Sequence, residues 1–391
     1  MERLKECVEE LLSFTLNSHI NQTLGFDLGL SSQFCSNLLL REANDAVSVA
    51  TDSLQGVPLC PLYKRLALAL VRSVSCRAFC RTYNYGVLVH GDGLLKQRED
   101  EWSELILNKG AELINILKTV DFELDVQEPF FSLIKDGLKT VEGRCAMDDY
   151  NRLRPGSMVL LNKCIMLEVQ TVRHCASFSE LLEAETLAKV LPGVKTVEEG
   201  MEIYSKFYVE EKERLNGVLA ICVSKMATQP YITLATILSV NFMFLIPGLG
   251  YEGIQSLLGL AHTPGTISDA LPPPRSTLLS SFLLPFKPNV KGSTLTQGAR
   301  ALAKHVNRSS NRYWGIFNGS DSDKNRLAMD VICRLIAHCC WLNVHIVQPH
   351  GIVFEIRVAD GYGARWSKDG TKFIGFLEPY MEDGHSKGWK H

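Results

Sequence analysis

The chain has 391 residues, enough for two or three domains, and 46% hydrophobic with 21% charged residues is the composition of an ordered globular protein. A formal net charge of −2 excludes a protein that coats nucleic acid by bulk electrostatics. Twelve cysteines without a CxxC pair exclude a zinc ribbon or a regular disulfide framework, and suggest free thiols in a reducing compartment, cytosol or nucleus.

Residues 1–119 read as a helical module. The start, Met1-Glu2-Arg3-Leu4-Lys5, is charged and helical, unlike a secretory signal or a transit peptide. Leu4, Val8, Leu11, Leu12 and Leu16 form one apolar face, and Asn37–Leu54, Leu62–Thr82 and Trp102–Leu117 repeat that period. Arg72, Arg77 and Arg81 read as a solvated stripe on one of these helices. No catalytic constellation falls in this module, which is a candidate surface for protein partners.

Residues 120–226 carry the most informative stretch, Gly137-Leu138-Lys139-Thr140-Val141-Glu142-Gly143-Arg144. It follows a short amphipathic run, Glu128–Asp136, which Gly137 should close as a helix C-cap before the chain turns extended. A lysine, a glutamate and an arginine then crowd into six residues at the mouth of a strand. Such a group suits a planar polar ligand: Lys139 is a point charge, Arg144 a two-pronged donor and Glu142 an acceptor that orients them. The bland alternative is a surface ion-pair ladder. In either case the side chains are expected to face a solvated groove. A helix ending in G-x-K-x-x-E-x-R, then a loop and Arg154-Pro155-Gly156-Ser157-Met158-Val159-Leu160-Leu161, resembles the ASCH domain (activating-signal-cointegrator homology), in particular that of plant-type proteins. The downstream order agrees with a strand over Cys164–His174, helices over Ser179–Val190 and Val197–Glu211, and a strand over Gly217–Ser224. The resemblance implies a PUA-like β-barrel and a ligand cleft lined by Lys139, Glu142, Arg144, Phe130 and Arg154. The family often opens with Gln-Pro-Trp, whereas Glu128-Pro129-Phe130 stands here.

Residues 227–292 read as a connector. Tyr231–Ile246 is the most apolar window, but it is shorter than the ~20 residues a membrane span needs and stops at Pro247, so no membrane partner is expected. Leu271-Pro272-Pro273-Pro274 and Pro285-Phe286-Lys287-Pro288 suggest a stiff extended linker. Residues 293–391 form a separate α+β unit, with helices over Leu295–Arg308 and Ser322–Cys340. Strands follow over Leu342–Gln348, Ile352–Val358, Gly363–Ser367 and Lys372–Leu377. Tyr362, Arg365 and Trp366 could stack an unpaired base, the alternative being ordinary packing on a helix. His385 with Glu378 and Asp383 has no spacing that defines a metal or acid–base site. The tail resembles that of a small domain in plants and microbes to which no activity attaches.

The fold class is therefore multidomain α+β: a helical N-terminal module, a PUA-like barrel in the middle and a small α+β domain at the end. Charge is uneven, because residues 121–225 carry 13 basic and 18 acidic side chains while 292–391 carry 13 and 9. RNA binding in the middle domain must then come from a local cleft. The leading reading is a non-catalytic binder of RNA or a modified nucleoside, with no cofactor and no metal, and with a coactivator or scaffold role beside it. Two alternatives stand: a pure protein-interaction scaffold, and an amidohydrolase acting on acetylated cytidine. Some ASCH proteins perform the latter with this lysine, a threonine three residues on and a later glutamate. Here Lys139 is present, Glu142 occupies the threonine place, and Pro192-Gly193-Val194 offers no glutamate.

Overall fold

A computed structural model describes residues 2–42, 54–82, 93–240, 247–290, 294–306 and 312–379. By its contacts the chain forms two compact units that interleave in sequence, Met1–Thr15 with Asn108–Ile237, and Leu16–Leu107 with Leu238–His391.

The first unit is built on a curled, open five-stranded sheet, a half-barrel. Its strands are β1 (Phe122–Leu124), β2 (Val141–Cys145), β3 (Met158–Leu161), β4 (Ile165–Cys175) and β5 (Val218–Lys225), in the order β1-β3-β4-β5-β2. The long β4 pairs β3 with its first half and β5 with nearly its whole length. The register slips between Val169 and Thr171, a bulge that lets one strand bend around the sheet. Alternation buries Val141 and Cys145 with Val218 and Ala220 against the helices Phe178–Ala184 and Val197–Tyr204. Ser177 and Thr196 cap those helices by accepting from Glu180 N and Glu199 N. On another part of the sheet, Leu160 and Met166 pack with Cys7 and, less deeply, with Ile116 and Leu117 of the helix Ala111–Lys118.

The second unit contains a four-stranded antiparallel meander: β6 (Trp341–Val347), β7 (Gly351–Arg357), β8 (Gly363–Ser367) and β9 (Phe373–Leu377). Asp369-Gly370 makes the β8–β9 turn, with Gly370 at φ +76°. The helix Asp321–His338 is closed at its start by a capping box between Ser320 and Asp323 and buries Val331, Ile332 and Leu335. One face of the sheet supplies Leu342, Phe354, Ile356 and Trp366, all fully buried. The 271–288 stretch differs from the extended linker expected of it. It holds a helix, Arg275–Leu283, with Leu278 and Phe282 at 0% exposure and the Phe282 ring edge-on to Phe373 at 4.9 Å. Pro274 at the helix N-cap starts that helix instead of stiffening a linker, and the apolar residues behind it settle on the sheet. No described helix is long and apolar enough to cross a membrane. The apolar run beginning at Tyr231 is the helix Pro230–Leu238, and residues 241–246 lie outside the described ones. All twelve cysteines are free thiols.

Candidate ligand cleft and a buried ionic face

The cleft of the first unit starts from the expected cap. The helix Phe130–Lys135 ends in a Schellman turn, in which Gly137 N donates to Ile134 O, Leu138 N donates to Leu133 O, and Gly137 sits at φ +75°. Lys139 then turns inward. It is 2% exposed, and its Nζ donates to Val141 O at 2.7 Å and Val190 O at 2.6 Å and lies 3.1 Å from Glu142 Oε2. Glu142 Oε1 accepts from Arg144 Nε at 2.9 Å, and Arg144 Nη2 donates to Asp125 O at 2.7 Å. The three charges form one chain, Lys139–Glu142–Arg144, anchored at both ends on backbone carbonyls. This corrects the expectation that they face a solvated groove: the ammonium is an internal strut, and only the guanidinium end is half-buried. The three ammonium protons each have an acceptor, so the nitrogen offers no lone pair for base catalysis as it stands.

Around that chain lies a cavity of about 150 Å³, lined by Phe130, Phe207, Tyr204, Tyr208 and Gln127 besides the charged residues. Phe130 is half-buried, 5.8 Å from Lys139 Nζ and edge-on to Phe207 at 6.4 Å. Arg144 also stands over the Tyr150 ring at 5.7 Å. Arg154 is not part of the cleft. It is exposed on the loop before β3, where its backbone N–H donates to Ser157 Oγ.

Tyr204, absent from the sequence-based set, is the most informative lining residue. Its ring stacks on Phe178 at 4.1 Å, and its buried hydroxyl has no hydrogen-bond partner. Burial first, and Glu142 next, push that hydroxyl well up, so it stays protonated. Gly143 makes the space: a Cβ there would stand 2.5 Å from the Tyr204 hydroxyl. The signal available in the sequence is the spacing of Tyr204, Phe207 and Tyr208, three and four apart, where the helix Val197–Tyr204 ends.

In the second unit the stacking platform expected at Tyr362, Arg365 and Trp366 is not formed. Trp366 is 0% exposed and donates Nε1–H to Leu278 O, and Tyr362 is buried with its ring flat on Tyr313 at 3.6 Å. Aromatic bulk was needed to fill the space between sheet and helices, and the packing reading prevails there. Arg365 points to the opposite face, where Asn343, Glu355 and Arg365 align across β6, β7 and β8. Glu355, 2% exposed, accepts from Arg357 Nε at 2.7 Å and from Arg365 Nε and Nη2 at 2.9 and 2.6 Å. His345 Nε2 lies 3.3 Å from its Oε2. Burial works to raise this carboxyl, but the His345 hydrogen bond and the two guanidinium groups outweigh it and hold it at about 2. His385 and Asp383 lie outside the described residues, and Glu378 is already engaged by His305 Nδ1 at 2.8 Å and Trp314 Nε1 at 2.9 Å.

The family model of the ASCH domain matches residues 124–227, and that of the CdiA C-terminal tRNase toxin domain matches 287–378. Among solved structures, the hypothetical protein PH0355 is 38% identical over 27% of this chain and 98% of its own, with a TM-score of 0.26. Protein PF0455 from Pyrococcus furiosus is 39% identical over 27% of this chain and 98% of its own, with a TM-score of 0.25. The toxic C-terminal tip of CdiA from Pseudomonas aeruginosa, solved in complex with its immune protein, is 31% identical. That likeness covers 24% of this chain and 96% of the tip, with a TM-score of 0.20. No curated protein matches the chain. The family match, the element order and the Lys139–Glu142–Arg144 cleft coincide on one stretch: residues 124–227 are an ASCH domain, a PUA-like RNA-binding fold that supports a general RNA-binding role, and the chain belongs to the ASCH-domain proteins.

Proposed function

We propose that this protein binds RNA by drawing one unpaired or modified base into the ASCH cleft, without turning it over there. The observation that carries this reading is the Tyr204 hydroxyl. It is buried, has no partner and opens on a cavity of about 150 Å³, so a ligand atom is the natural means of satisfying it. Around it stand the components of single-strand recognition: aromatic faces at Phe130, Phe207 and Tyr208, a cation at Arg144 and an acceptor at Glu142. The acidic balance of the domain favours a short or structured RNA over a long unspecific one. Hydrolysis of an acetylated base at this site is disfavoured, because Lys139 is fully engaged as a donor and two of the three groups such chemistry uses are missing.

A second reading concerns the other end of the chain. The match of residues 287–378 to a tRNase toxin domain favours tRNA as the RNA, and favours cleavage by the second unit. The two readings are compatible, one unit recognising what the other acts upon.

Titrating the full chain into fluorescently tagged tRNA and hairpin RNA tests the cleft. Arg144→Ala should weaken binding by roughly 1–3 kcal/mol, the worth of a charge-assisted contact. Phe130→Ala should weaken it if that ring stacks the base. RNA affinity unmoved by either substitution overturns the proposal.

A further inference from the structure

The hydrogen bonds of the ASCH cleft are lopsided: the groups left over to meet a ligand are mainly donors. Lys139 Nζ uses its three protons on Val141 O, Val190 O and Glu142 Oε2. Glu142 faces a cation at each oxygen, Lys139 at Oε2 and Arg144 at Oε1, so the strongest acceptor beside the cavity is already engaged. Arg144 commits Nε to Glu142 and Nη2 to Asp125 O, whereas its Nη1 has no hydrogen-bond partner among the described residues. A guanidinium cannot accept, so whatever meets Nη1 must supply the acceptor. The Tyr204 hydroxyl is the second group left over. It has no partner, belongs to a residue 7% exposed, and keeps its proton to give. Asp125 and Gln127 also line the cavity but are exposed, where water competes for their acceptors. The aromatic faces at Phe130, Phe207 and Tyr208 suit every base alike. The choice among bases therefore falls to the edge that a base turns toward Arg144 and Tyr204.

We propose that the cleft selects a keto base, uracil or guanine, over an amino base, cytosine or adenine, with Arg144 and Tyr204 as the residues that set the choice. The proposal rests on the capture of one unpaired base described above and names the chemistry of that base. Uracil offers O4 as an acceptor and guanine offers O6 beside N7; cytosine and adenine carry an amine where those oxygens stand. A keto oxygen accepts from the open N–H groups of Arg144 or the O–H of Tyr204, so the donors gain partners when the base displaces water. An exocyclic amine turned to the same groups sets N–H against N–H at the guanidinium. The Tyr204 oxygen can then accept, but the Arg144 donors lose water without gaining a partner. Glu142 does not reverse the preference, because an amine would have to compete with Lys139 and Arg144 for its oxygens. Cytosine and adenine retain ring-nitrogen acceptors, so the selection is graded and not an exclusion.

Fluorescence anisotropy of the full-length chain provides the test, with one hairpin stem carrying a single bulged U, G, C or A and the same stem fully paired. At least one of the U and G bulges should bind about 10-fold or more tighter than the C and A bulges, the range of one well-made base-edge contact. The comparison of U with G shows which ring the cavity holds. Tyr204→Phe and Arg144→Gln should each bring that ratio down to about 3-fold or less. Glutamine places a carbonyl acceptor where only donors stood, so it should also raise C and A relative to U and G. Arg144 steadies Glu142, so Tyr204→Phe, which removes one unpaired oxygen, keeps the test clear of a folding defect. Equal affinity for all four bulges, each above the paired stem, leaves the capture of a base standing and overturns the selection. A preference for C or A, or a keto preference that both substitutions leave unchanged, overturns it equally. No bulge bound better than the paired stem overturns the capture itself, and the selection falls with it.

Discussion

Replacing Lys139 by alanine should unfold the ASCH unit well before it tells anything about RNA. The ammonium is 2% exposed and bridges two carbonyls and a carboxylate, at 2.7, 2.6 and 3.1 Å. Its removal strands Val141 O and Val190 O, each a buried acceptor whose loss of a partner costs about 1–3 kcal/mol. Glu142 keeps Arg144 at 2.9 Å, so the carboxylate is not left wholly unpaired. Breaking a buried ion pair from one side costs roughly 3–5 kcal/mol, and the two estimates overlap there. For a unit of this size that is a fall of roughly 6–20 °C in melting temperature. Lys139→Met keeps the apolar stem and should recover about 1–2 kcal/mol of the packing loss. The assay is amide hydrogen exchange across β2 during a thermal ramp, because two units do not license one two-state fit to the whole chain. Melting of β2 within about 2 °C of wild type in Lys139→Ala would refute the strut and return Lys139 to the surface ladder.

Three further outcomes are expected. Gly143→Ala places a Cβ 2.5 Å from the Tyr204 hydroxyl, and should cost about 1–3 kcal/mol of stability while closing the cavity to RNA; calorimetry and a binding titration read both. Tyr204→Phe deletes an unpaired buried hydroxyl, so melting should hold or rise by about 1 kcal/mol while RNA affinity falls; affinity equal to wild type would show the hydroxyl is not used. The His345 hydrogen bond and the two guanidinium groups hold the folded Glu355 carboxyl at about 2, below the 4.5 of an ordinary glutamate, so its contribution is present above pH 4.5 and is lost as pH falls from 4.5 toward 2. That amounts to about 3 kcal/mol, and Glu355→Gln should flatten that acid limb. Tryptophan fluorescence reads it, since the tryptophans among the described residues, Trp102, Trp314, Trp341 and Trp366, all belong to the second unit.

The ASCH fold was legible because its signals are local. Gly137 after an amphipathic run, alternation through β2 and β5, and Ser and Thr caps before two helices each act within a few residues. The chemistry of Lys139 was not legible, because its burial depends on Val190 O, which lies 51 positions away on the helix Leu187–Val190. Tyr204 was missed for the same reason: a tyrosine at a helix end shows nothing until Gly143 is brought opposite it by the sheet. The Tyr362–Trp366 segment misled in the other direction. Aromatic residues on a strand are equally compatible with a binding face and a core, and only the helices Arg275–Leu283 and Asp321–His338 decide which. Glu355 and Arg357, two apart on β7, do mark one face in advance, but Arg365 and His345 join them only through the register of β6, β7 and β8. The 271–288 stretch shows the limit of composition: prolines suit a linker and a helix start alike.

Photocrosslinking of the full chain to tRNA, with the nucleotide-bearing peptides identified by mass spectrometry, tests RNA capture by the ASCH cleft most directly. Adducts should fall on Phe130, Tyr204, Phe207 or Tyr208 and should disappear in Arg144→Ala. Adducts confined to residues 287–378, with none between 124 and 227, would contradict it.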